Sequence, residues 1–343
     1  MKVLITGDKG YIGSILTKYL SKYSYTIIGY DTGFFESCNL SETFDEYTSI
    51  KKDIRDFESA DLHNVDAIIH LAALSNDPLG ELKSGITEEI NRDAAIRVAE
   101  IAKMNNVKRF VYMSSQSMYG ISDTSNELDE YTSEKNPLTA YAKTKWEAEQ
   151  SINKLADNNF TVISLRPSTV FGVSPRIRTD IVFNNLIASA FTTKKIVIKS
   201  DGTPFRPIIH ILDVCNAVKA VLEAPKTLIN KRAYNIGIKN GNYTVKMLAE
   251  TVKKNINGST LVFSGEHGND SRTYKVSFKR IFTELSDMYE PEWDLSRGAN
   301  ELINFFNQIK LKKEDLNGHK TNRLNMLNKI TKEGKINEKF RWL

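Results

Sequence analysis

The segment YAKTK places a tyrosine and a lysine four residues apart, at Tyr141 and Lys145. On a helix this spacing puts the two side chains on one face, within reach of each other. A tyrosine hydroxyl is a weak base because its pKa is about 10. A neighbouring ammonium group stabilises the phenolate and lowers that pKa, so the pair can exchange a proton with a substrate hydroxyl. The spacing alone is common in helices, so it indicates acid–base chemistry only together with other groups.

Two serines end the predicted strand KRFVYMSS. Ser114 and Ser115 therefore lie at the carboxyl edge of that strand, which is the ligand side of a parallel sheet. Hydroxyls at this edge can hydrogen-bond a hydroxyl or carbonyl oxygen of a substrate. Either serine taken alone is equally consistent with the start of a loop.

Three glycines occur at three-residue intervals in the segment TGDKGYIG near the N-terminus. Gly7, Gly10 and Gly13 stand between the predicted strand KVLIT and a segment whose apolar residues recur at helical spacing. Glycines at such a turn let the backbone approach a pyrophosphate, whose charge is stabilised by the helix N-terminus. The spacing G-x-x-G-x-x-G differs from the commoner G-x-G-x-x-G fingerprint. We therefore expect a dinucleotide-binding turn that includes Tyr11 and Ile12.

An acidic residue ends the second predicted strand, TIIGYD, eighteen residues beyond Gly13. The carboxylate of Asp31 can accept hydrogen bonds from the adenosine ribose hydroxyls of a dinucleotide. Its charge repels a 2′-phosphate, so the sequence favours NAD over NADP. Asp53 and Ile54 close the third predicted strand, where a side chain can meet the adenine amino group.

The first half of the chain alternates short apolar runs with amphipathic segments, as strand–helix–strand units around a parallel sheet do. The predicted strands include AIIHLAA and FTVISLRPSTVFG, and the predicted helices include EINRDAAIRVAEIAKMNN and AYAKTKWEAEQSINKLADN. After about Gly172 the alternation is less regular. The sequence therefore predicts an α/β fold, a doubly wound parallel sheet of the Rossmann type with a smaller, partly interleaved α/β domain. The dinucleotide-binding domain would comprise residues 1–172 and about 206–240, and the second domain about 173–205 and 241–343.

Composition disfavours several other classes of protein. The chain has 343 residues, a net charge of +5 and two cysteines, Cys38 and Cys215. So mild a charge gives little support for a nucleic-acid partner, and two distant cysteines predict reduced thiols rather than a disulfide framework or a zinc site. The sequence has neither an apolar run of about 18 residues nor a secretory signal pattern. We therefore expect a cytoplasmic protein without a bound metal and without a membrane or nucleic-acid partner.

Together these segments resemble the extended short-chain dehydrogenase/reductase family, and within it the nucleotide-sugar epimerases and dehydratases. The resemblance covers roughly residues 1–280, with the segments in the family's order and spacing. The matching pieces are TGDKGYIG, Asp31, KKDIRD, HLAA, Asn91, SSQSMYG, YAKTK, LRPSTVFG and FRPIIHILDV.

The resemblance implies a role for each matching position. Tyr141 would be the acid–base residue, Lys145 would bind the nicotinamide ribose, and Ser115 would hydrogen-bond the reacting oxygen of the sugar. The positions implied to contact NAD are Gly7, Gly10, Tyr11, Ile12, Gly13, Asp31, Asp53, Ile54, Leu71, Ala72, Ala73, Asn91, Ser114, Tyr141, Lys145, Pro167 and Ser168. Those implied to contact a nucleoside diphosphate sugar are Ser75, Ser115, Gln116, Ser117, Asn185, Arg206 and Arg272.

The resemblance also limits the reactions that the chain is expected to catalyse. The first hypothesis is an epimerase that acts at C4 through a transient 4-keto sugar and keeps its NAD tightly bound. The related 4,6-dehydratases carry an Asp–Glu pair just after the active-site serine or threonine, and here Gln116 and Ser117 stand at those positions. Neither side chain transfers protons near neutral pH. A C4 ketoreductase or dehydrogenase would use the same Tyr–Lys–Ser set, although Asp31 disfavours NADPH. The last alternative is a catalytically silent dinucleotide sensor, against which the intact Tyr–Lys pair argues.

Members of this family often dimerise through the helices that correspond to residues 91–103 and 141–155. The resemblance therefore implies a homodimer. The first of these helices carries apolar positions that suit such an interface or, equally, contact with the sheet: Ala95, Val98, Ala99 and Ala102.

Overall fold

Residues 1–198, 200–264 and 273–343 are described by a computed structural model of the chain. Within these ranges the strands are β1 (Lys2–Thr6), β2 (Thr26–Asp31), β3 (Thr48–Lys51), β4 (Ala67–His70), β5 (Arg109–Met113), β6 (Thr161–Pro167), β7 (Thr169–Phe171), β8 (Lys195–Ile198), β9 (Phe205–His210), β10 (Arg232–Ile236), β11 (Asn242–Thr244) and β12 (Thr260–Phe263). The α-helices are α1 (Gly13–Leu20), α2 (Asp77–Glu81), α3 (Ser84–Glu88), α4 (Ala94–Met104), α5 (Ala140–Lys154), α6 (Val182–Thr193), α7 (Ile211–Glu223), α8 (Lys226–Ile229), α9 (Val245–Asn255), α10 (Lys279–Glu284), α11 (Leu295–Gln308) and α12 (Arg323–Lys332). Among them, none combines the length and apolar character that crossing a bilayer requires.

Seven strands form one parallel sheet in the order β10-β6-β5-β4-β1-β2-β3. The order reverses between β1 and β4, and doubly wound sheets bind ligands beyond the carboxyl ends of the strands at such a switch point. Thr6, the last residue of β1, lies in register with Tyr30 of β2 and His70 of β4. The predicted doubly wound parallel sheet is therefore confirmed.

Helices cover both faces of this sheet and bury apolar side chains against it. Helices α1 and α7 pack together, and their apolar residues share one core cluster with Val3 and Ile5. Helices α4 and α5 share a second cluster with Leu4. Successive residues of β1 thus serve opposite faces, because strand side chains alternate. Burial on both faces explains why the sheet strands are continuous apolar runs in the sequence.

Two small sheets are built by the less regular second half of the chain. Strand β9 pairs parallel with β7 and antiparallel with β11, while β8 and β12 form a parallel pair. The chain returns from β9 to the large sheet, where β10 pairs with β6. The domain boundaries given above stay a prediction.

The segment FTVISLRPSTVFG, predicted as one strand, is two strands in different sheets. Strand β6 ends at Pro167, which has no N–H with which to continue the ladder. The N–H and the Oγ of Ser168 both donate to the carbonyl oxygen of Ile236, each at 3.0 Å. Ser168 therefore anchors the end of the large sheet at the point where the chain turns into the small one.

The four apolar positions of α4 that the sequence analysis named are buried against the large sheet. Ala95, Val98, Ala99 and Ala102 have no exposed surface and belong to the second core cluster. The outward surface beside them is polar, with Arg92 Nη1 3.1 Å from Glu147 Oε2. Of the two placements that the sequence allowed, these side chains adopt contact with the sheet, and the homodimer stays a prediction.

The last residues of the chain return to the large sheet as a short hairpin, residues 336–343, here called the C-terminal hairpin. Ile336 bridges to Trp342, and the Trp342 indole donates to the Thr32 carbonyl oxygen at 2.6 Å, just beyond β2. Arg341 lies 3.4 Å from an oxygen of Asp53, just beyond β3. The C-terminal hairpin therefore covers the carboxyl ends of β2 and β3, which no local sequence pattern predicted.

Candidate active site

The glycine turn joins β1 to α1 at the switch point of the sheet. Gly7 has φ of +78°, a left-handed conformation that strains residues with a side chain. A Cβ on Gly13 would lie 2.1 Å from the Gly7 carbonyl oxygen and 2.7 Å from the Cα of Asp8. The close crossing of the chain at these two positions therefore depends on glycine.

The first turn of α1 presents the positive end of a helix to an anion, with its Ser14 and Ile15 N–H groups already donating to the Gly10 and Ile12 carbonyl oxygens at 3.2 and 3.1 Å. Its N-cap residue, Ile12, makes no side-chain capping hydrogen bond, and the turn contains no acidic residue. The first backbone N–H groups of a helix have no partner inside the helix, and the helix dipole favours negative charge there. Together with the glycine turn, this N-terminus fits the pyrophosphate of a dinucleotide.

Asp31 lies at the end of β2, beside the glycine turn. Its Oδ1 accepts a hydrogen bond from the Gly33 N–H at 2.7 Å, and its Oδ2 accepts one from the Lys9 N–H at 3.2 Å. Burial raises the pKa of Asp31 to about 6, and the charge of Asp8 adds to the increase. The carboxylate stands where a ribose hydroxyl can donate to it.

Asp8 is a second buried acid in the glycine turn, which the sequence patterns did not single out. Its Oδ2 accepts hydrogen bonds from the Tyr47 and Ser49 hydroxyls, both at 2.9 Å. Its Oδ1 has no partner among the described residues. Burial raises the pKa of Asp8. The only signal in the sequence was an acidic residue between two of the glycines.

Asp53 and Ile54 were predicted to close the third strand, but β3 ends at Lys51 and both residues lie just beyond it, where Asp53 caps a short 3₁₀ turn that begins at Ile54. The Asp53 carboxylate is engaged within the protein. Its Oδ1 accepts from Arg55 Nε at 3.0 Å, and its Oδ2 from Arg55 Nη2 at 2.7 Å. Burial opposes ionisation of Asp53, but the hydrogen bonds and charge of Arg55 outweigh it, so its pKa is lowered. Ile54 is buried in the second core cluster.

The segment after β4 lies directly against the glycine turn. The Leu71 N–H donates to the carbonyl oxygen of Thr6 at 3.0 Å, and the Ala72 N–H donates to the Thr6 hydroxyl at 3.3 Å. A Cβ on Gly7 would lie 2.8 Å from the Ala72 nitrogen. Leu71, Ala72 and Ala73 are partly buried at the carboxyl edge of the sheet, as expected for residues that line a cofactor.

Helix α5 positions Tyr141 in its first turn and Lys145 one turn later. The helix starts at Thr139, whose hydroxyl oxygen accepts the Ala142 N–H at 3.2 Å, which is ordinary N-capping. Lys145 is 3% exposed, and its Nζ donates to the Met113 carbonyl oxygen at 2.8 Å. The lysine therefore spans from α5 to the carboxyl end of β5.

The side chain of Ser115 interacts with Tyr141 and lowers the pKa of its hydroxyl. The Ser115 Oγ is also hydrogen bonded to the Ser117 Oγ, at 2.8 Å. Burial raises the pKa of Tyr141 to about 12, and the interaction with Ser115 only partly offsets this. The lower pKa expected from the sequence is therefore not found in the protein alone, because burial dominates.

Burial lowers the pKa of Lys145 to about 7. The ammonium lies 4.9 Å from the centre of the Tyr112 ring. Nearby His70 is also buried; burial, with a contribution from the charge of Lys145, lowers its pKa to about 3. The site therefore holds an easily deprotonated lysine beside a neutral histidine at neutral pH.

Several other predicted cofactor positions are buried near this site. Asn91 holds the backbone of Leu74: its Oδ1 accepts the Leu74 N–H at 2.8 Å, and its Nδ2 donates to the Leu74 carbonyl oxygen at 3.1 Å. The hydroxyl of Ser114 is buried and has no partner in the described part of the chain. Tyr11 points toward the second half of the chain, and its hydroxyl donates to the Gly172 carbonyl oxygen at 2.7 Å.

The predicted sugar-binding positions fall into two groups. Ser115, Gln116 and Ser117 lie together after β5, and the Gln116 Nε2 donates to the Arg166 carbonyl oxygen at 3.0 Å. The remaining positions are spread over other segments. Ser75 follows β4, Asn185 is in α6 with its Nδ2 2.8 Å from the Thr179 carbonyl oxygen, Arg206 is in β9, and Arg272 lies outside the described residues.

Arg178 is a candidate residue that sequence reasoning missed. Its guanidinium group forms two hydrogen bonds with Asp180, at 2.9 and 2.8 Å, and donates to the Ser75 hydroxyl at 3.2 Å. Its charge lowers the pKa of Tyr141, although less than burial raises it. The segment RIRTD has no periodic pattern, so only the fold brings this arginine to the site. Across the described ranges, no group of three or more His, Cys, Asp or Glu side chains is placed to hold a metal ion.

Known proteins are similar to this chain over most of its length. A sequence model of the NAD dependent epimerase/dehydratase family matches residues 3–237. The uncharacterized UDP-glucose epimerase YtcB of Bacillus subtilis is 31% identical over 242 residues, which cover 66% of this chain and 73% of that protein. The UDP-glucose 4-epimerase of Bacillus subtilis is 27% identical over 354 residues, which cover 94% of this chain and 99% of that protein.

Solved structures agree with these sequence relatives. The UDP-glucuronic acid 4-epimerase from Bacillus cereus, in complex with UDP-glucuronic acid and NAD, superposes with a TM-score of 0.76. The match covers 90% of this chain and 100% of that chain at 26% identity.

Proposed function

This chain belongs to the NAD-dependent epimerase/dehydratase family, and we propose that it inverts C4 of a UDP-linked sugar through a transient 4-keto intermediate. UDP is proposed because the similar epimerases named above are UDP-sugar enzymes by name. The observation that carries the proposal is that Ser115 interacts with Tyr141, with Lys145 one helical turn further along α5 and no acid or base at the two positions after Ser115.

NAD, when bound, supplies the group that accepts the C4 hydrogen and returns it to the opposite face of the sugar. The chain's own residues handle the proton. The Tyr141 hydroxyl takes the proton of the C4 hydroxyl during oxidation and returns it during reduction. Ser115 hydrogen-bonds the same oxygen and orients it, and Lys145 binds the nicotinamide ribose. The sugar's oxidation state is unchanged overall, so neither an external oxidant nor a reductant is consumed.

The Tyr141 phenolate needs positive charge nearby, because burial alone favours the neutral hydroxyl. The charge of Arg178 lowers the pKa of Tyr141 and so favours the phenolate. An ammonium on Lys145 acts in the same direction, and an anionic ligand nearby would favour that charged form of the lysine. We therefore expect the acid–base pair to reach its working protonation states only in the loaded site.

Dehydration at C5 and C6 is disfavoured by the two residues after Ser115. The Gln116 amide is 1% exposed, and its Nε2 is engaged by a backbone carbonyl oxygen. The Ser117 hydroxyl is hydrogen bonded to Ser115. Elimination of water needs one acid and one base, and neither side chain serves as either near neutral pH.

The deciding experiment is NMR of the purified protein with UDP-sugars in deuterated water, without added cofactor. The proposal predicts an epimer that carries no deuterium at C4, because the hydrogen returns internally. Tyr141→Phe is the matched control: it should keep its fold and its NAD content and lose turnover. A 4-keto-6-deoxy product labelled at C6 would show a dehydratase instead. If the protein converts only a keto sugar, and only when a reduced nicotinamide cofactor is added, it is a reductase.

We also propose a cytoplasmic homodimer whose two domains have the boundaries given above. The assembly is supported by the resemblance alone, and the polar surface around Arg92 and Glu147 would then supply polar contacts across it. Light scattering measures the mass, and Arg92→Glu should reduce a dimer of this kind to a monomer.

A further inference from the structure

The loop after β7 is tied to the first turn of α1. The Ser174 hydroxyl donates to the Tyr11 carbonyl oxygen at 2.9 Å, and its Oγ lies 3.0 Å from the Ser14 Oγ. The Arg176 N–H in turn donates to the Ser174 Oγ at 3.2 Å. The Pro175 carbonyl oxygen accepts the Leu40 N–H at 2.9 Å. Arg176 is therefore held between the glycine turn and the segment that follows β2.

Arg176 is 2% exposed, and its Nε has no hydrogen-bond acceptor within the described ranges. Both of its backbone polar groups, by contrast, are hydrogen bonded: the N–H donates to Ser174, and the carbonyl oxygen accepts from the Arg323 guanidinium of α12. A buried guanidinium N–H without an acceptor is unfavourable, and a ligand that supplies an oxygen acceptor removes that penalty. The geometry of Arg176 is thus that of a binding group rather than of a packing group.

The surroundings of Arg176 carry excess positive charge. Arg178 and Arg323 are buried nearby, and Asp180 pairs with Arg178. Arg323 lies over the Phe35 ring at 5.2 Å and donates to the carbonyl oxygens of Lys320 and Arg176. Burial lowers the pKa of Arg323 to about 10, and the charges of Arg178 and Arg176 contribute. An anionic ligand would relieve this repulsion.

Two carboxylates show on which side of the site Arg176 lies. Burial raises the pKa of Asp31, and the charge of Arg176 partly offsets this. Hydrogen bonds from Lys9 and Thr43 lower the pKa of Asp45, and the charge of Arg176 adds to that decrease. Asp31 ends β2, on the adenosine side of the glycine turn. Arg176 is therefore close enough to the end of β2 for its charge to act on Asp31, whereas Arg178 donates to Ser75 and acts on Tyr141.

We propose that Arg176 binds the pyrophosphate of NAD, opposite the first turn of α1. The planar guanidinium fork matches two phosphate oxygens, and the loop around Ser174 ties it to the same turn whose N–H groups face the ligand. The site thereby takes one phosphate contact from the second half of the chain. This inference rests on the family's cofactor and is independent of which sugar reacts.

The test compares Arg176→Met and Arg176→Lys with Arg232→Gln as a control. Arg232 is the first residue of β10, and its side chain is 43% exposed. NAD is removed, and NAD and UDP are then titrated separately by calorimetry at two salt concentrations. A charge-assisted hydrogen bond lost from the site should weaken NAD binding about tenfold or more in Arg176→Met. Arg176→Lys should be intermediate, and Arg232→Gln should match the wild type. UDP affinity should change less than about twofold in all three.

Thermal unfolding without cofactor separates binding from folding. Removing a buried charge with an unsatisfied N–H should leave the midpoint of Arg176→Met unchanged or raised, while the stabilisation caused by added NAD shrinks. Unchanged NAD affinity in Arg176→Met would overturn the proposal. Loss of UDP affinity instead would assign the arginine to the sugar nucleotide and also overturn it. A wild type that binds NAD but epimerises nothing would refute the proposed reaction and leave this inference standing.

Discussion

Replacing Gly13 with alanine tests whether the glycine turn is built for close backbone contact. The new Cβ would lie 2.1 Å from the Gly7 carbonyl oxygen, and real Cβ atoms essentially never come within 3.0 Å of such an atom. The start of α1 must therefore move away from the turn by about 0.9 Å. Forced repacking of this kind destabilises proteins by about 1–3 kcal/mol. A shift of about 1 Å in a binding group typically costs roughly 100-fold in function.

Gly10→Ala is the matched control, because it adds the same atom to the same turn. Gly10 has no positive φ, and its Cβ would meet the Gly7 carbonyl oxygen at 3.1 Å. We expect the stability of this variant to stay within about 1 kcal/mol of the wild type. If the backbone at Gly10 approaches the pyrophosphate, its NAD affinity falls nevertheless.

Two measurements separate the variants. Urea unfolding of the cofactor-free proteins should show a loss for Gly13→Ala and little change for Gly10→Ala. Calorimetric titration should show weaker NAD binding in both. If Gly13→Ala kept both wild-type stability and wild-type NAD affinity, the close-contact account of this turn would be refuted.

Four further outcomes are expected. Tyr141→Phe should lower turnover by about 10²- to 10⁴-fold, the usual contribution of acid–base catalysis, with NAD content unchanged; retained turnover would contradict its role. Arg178→Met should shift the pH profile of turnover to higher pH, because a charge that lowers the pKa of Tyr141 is removed; an unshifted profile with normal folding would place the arginine outside the site. Burial lowers the pKa of Lys145 from 10.5 to about 7, so between these pH values the unfolded chain binds more protons than the folded one. The cofactor-free protein should therefore become more stable as pH rises through that window. The free energy of unfolding in urea should depend less on pH in Lys145→Met than in the wild type, and equal pH dependence of the two would refute this. Deleting residues 341–343 removes the indole hydrogen bond to Thr32 and the ion pair with Asp53, so NAD should dissociate faster in a chase experiment. An unchanged dissociation rate would show that the C-terminal hairpin does not slow the release of NAD.

Local patterns were sufficient for the features whose signal lies within one turn or one strand. The strand TIIGYD was predicted with its observed bounds, Thr26–Asp31, because a strand buried on both faces is a continuous apolar run. The position of Tyr141 and Lys145 on α5 followed from the helical pattern of AYAKTKWEAEQSINKLADN, and their four-residue spacing placed them on one face. The break at Ser168 was missed, because strand propensity continues through a residue whose hydrogen-bond partner, Ile236, is remote in sequence.

The sequence by itself determined the sheet, the glycine turn and the placement of Tyr141 and Lys145 one turn apart on a helix, since each depends on periodicity, turn chemistry or short spacing. Only the tertiary structure decided that Arg176 and Arg178 flank the glycine turn and Tyr141, and that the C-terminal hairpin reaches β2 and β3. It also decided the direction of the pKa shifts of Tyr141 and Lys145, because burial outweighs the local pairing that the sequence shows. Burial, desolvation and contacts between distant segments arise only when the whole chain has packed, so no local pattern records them.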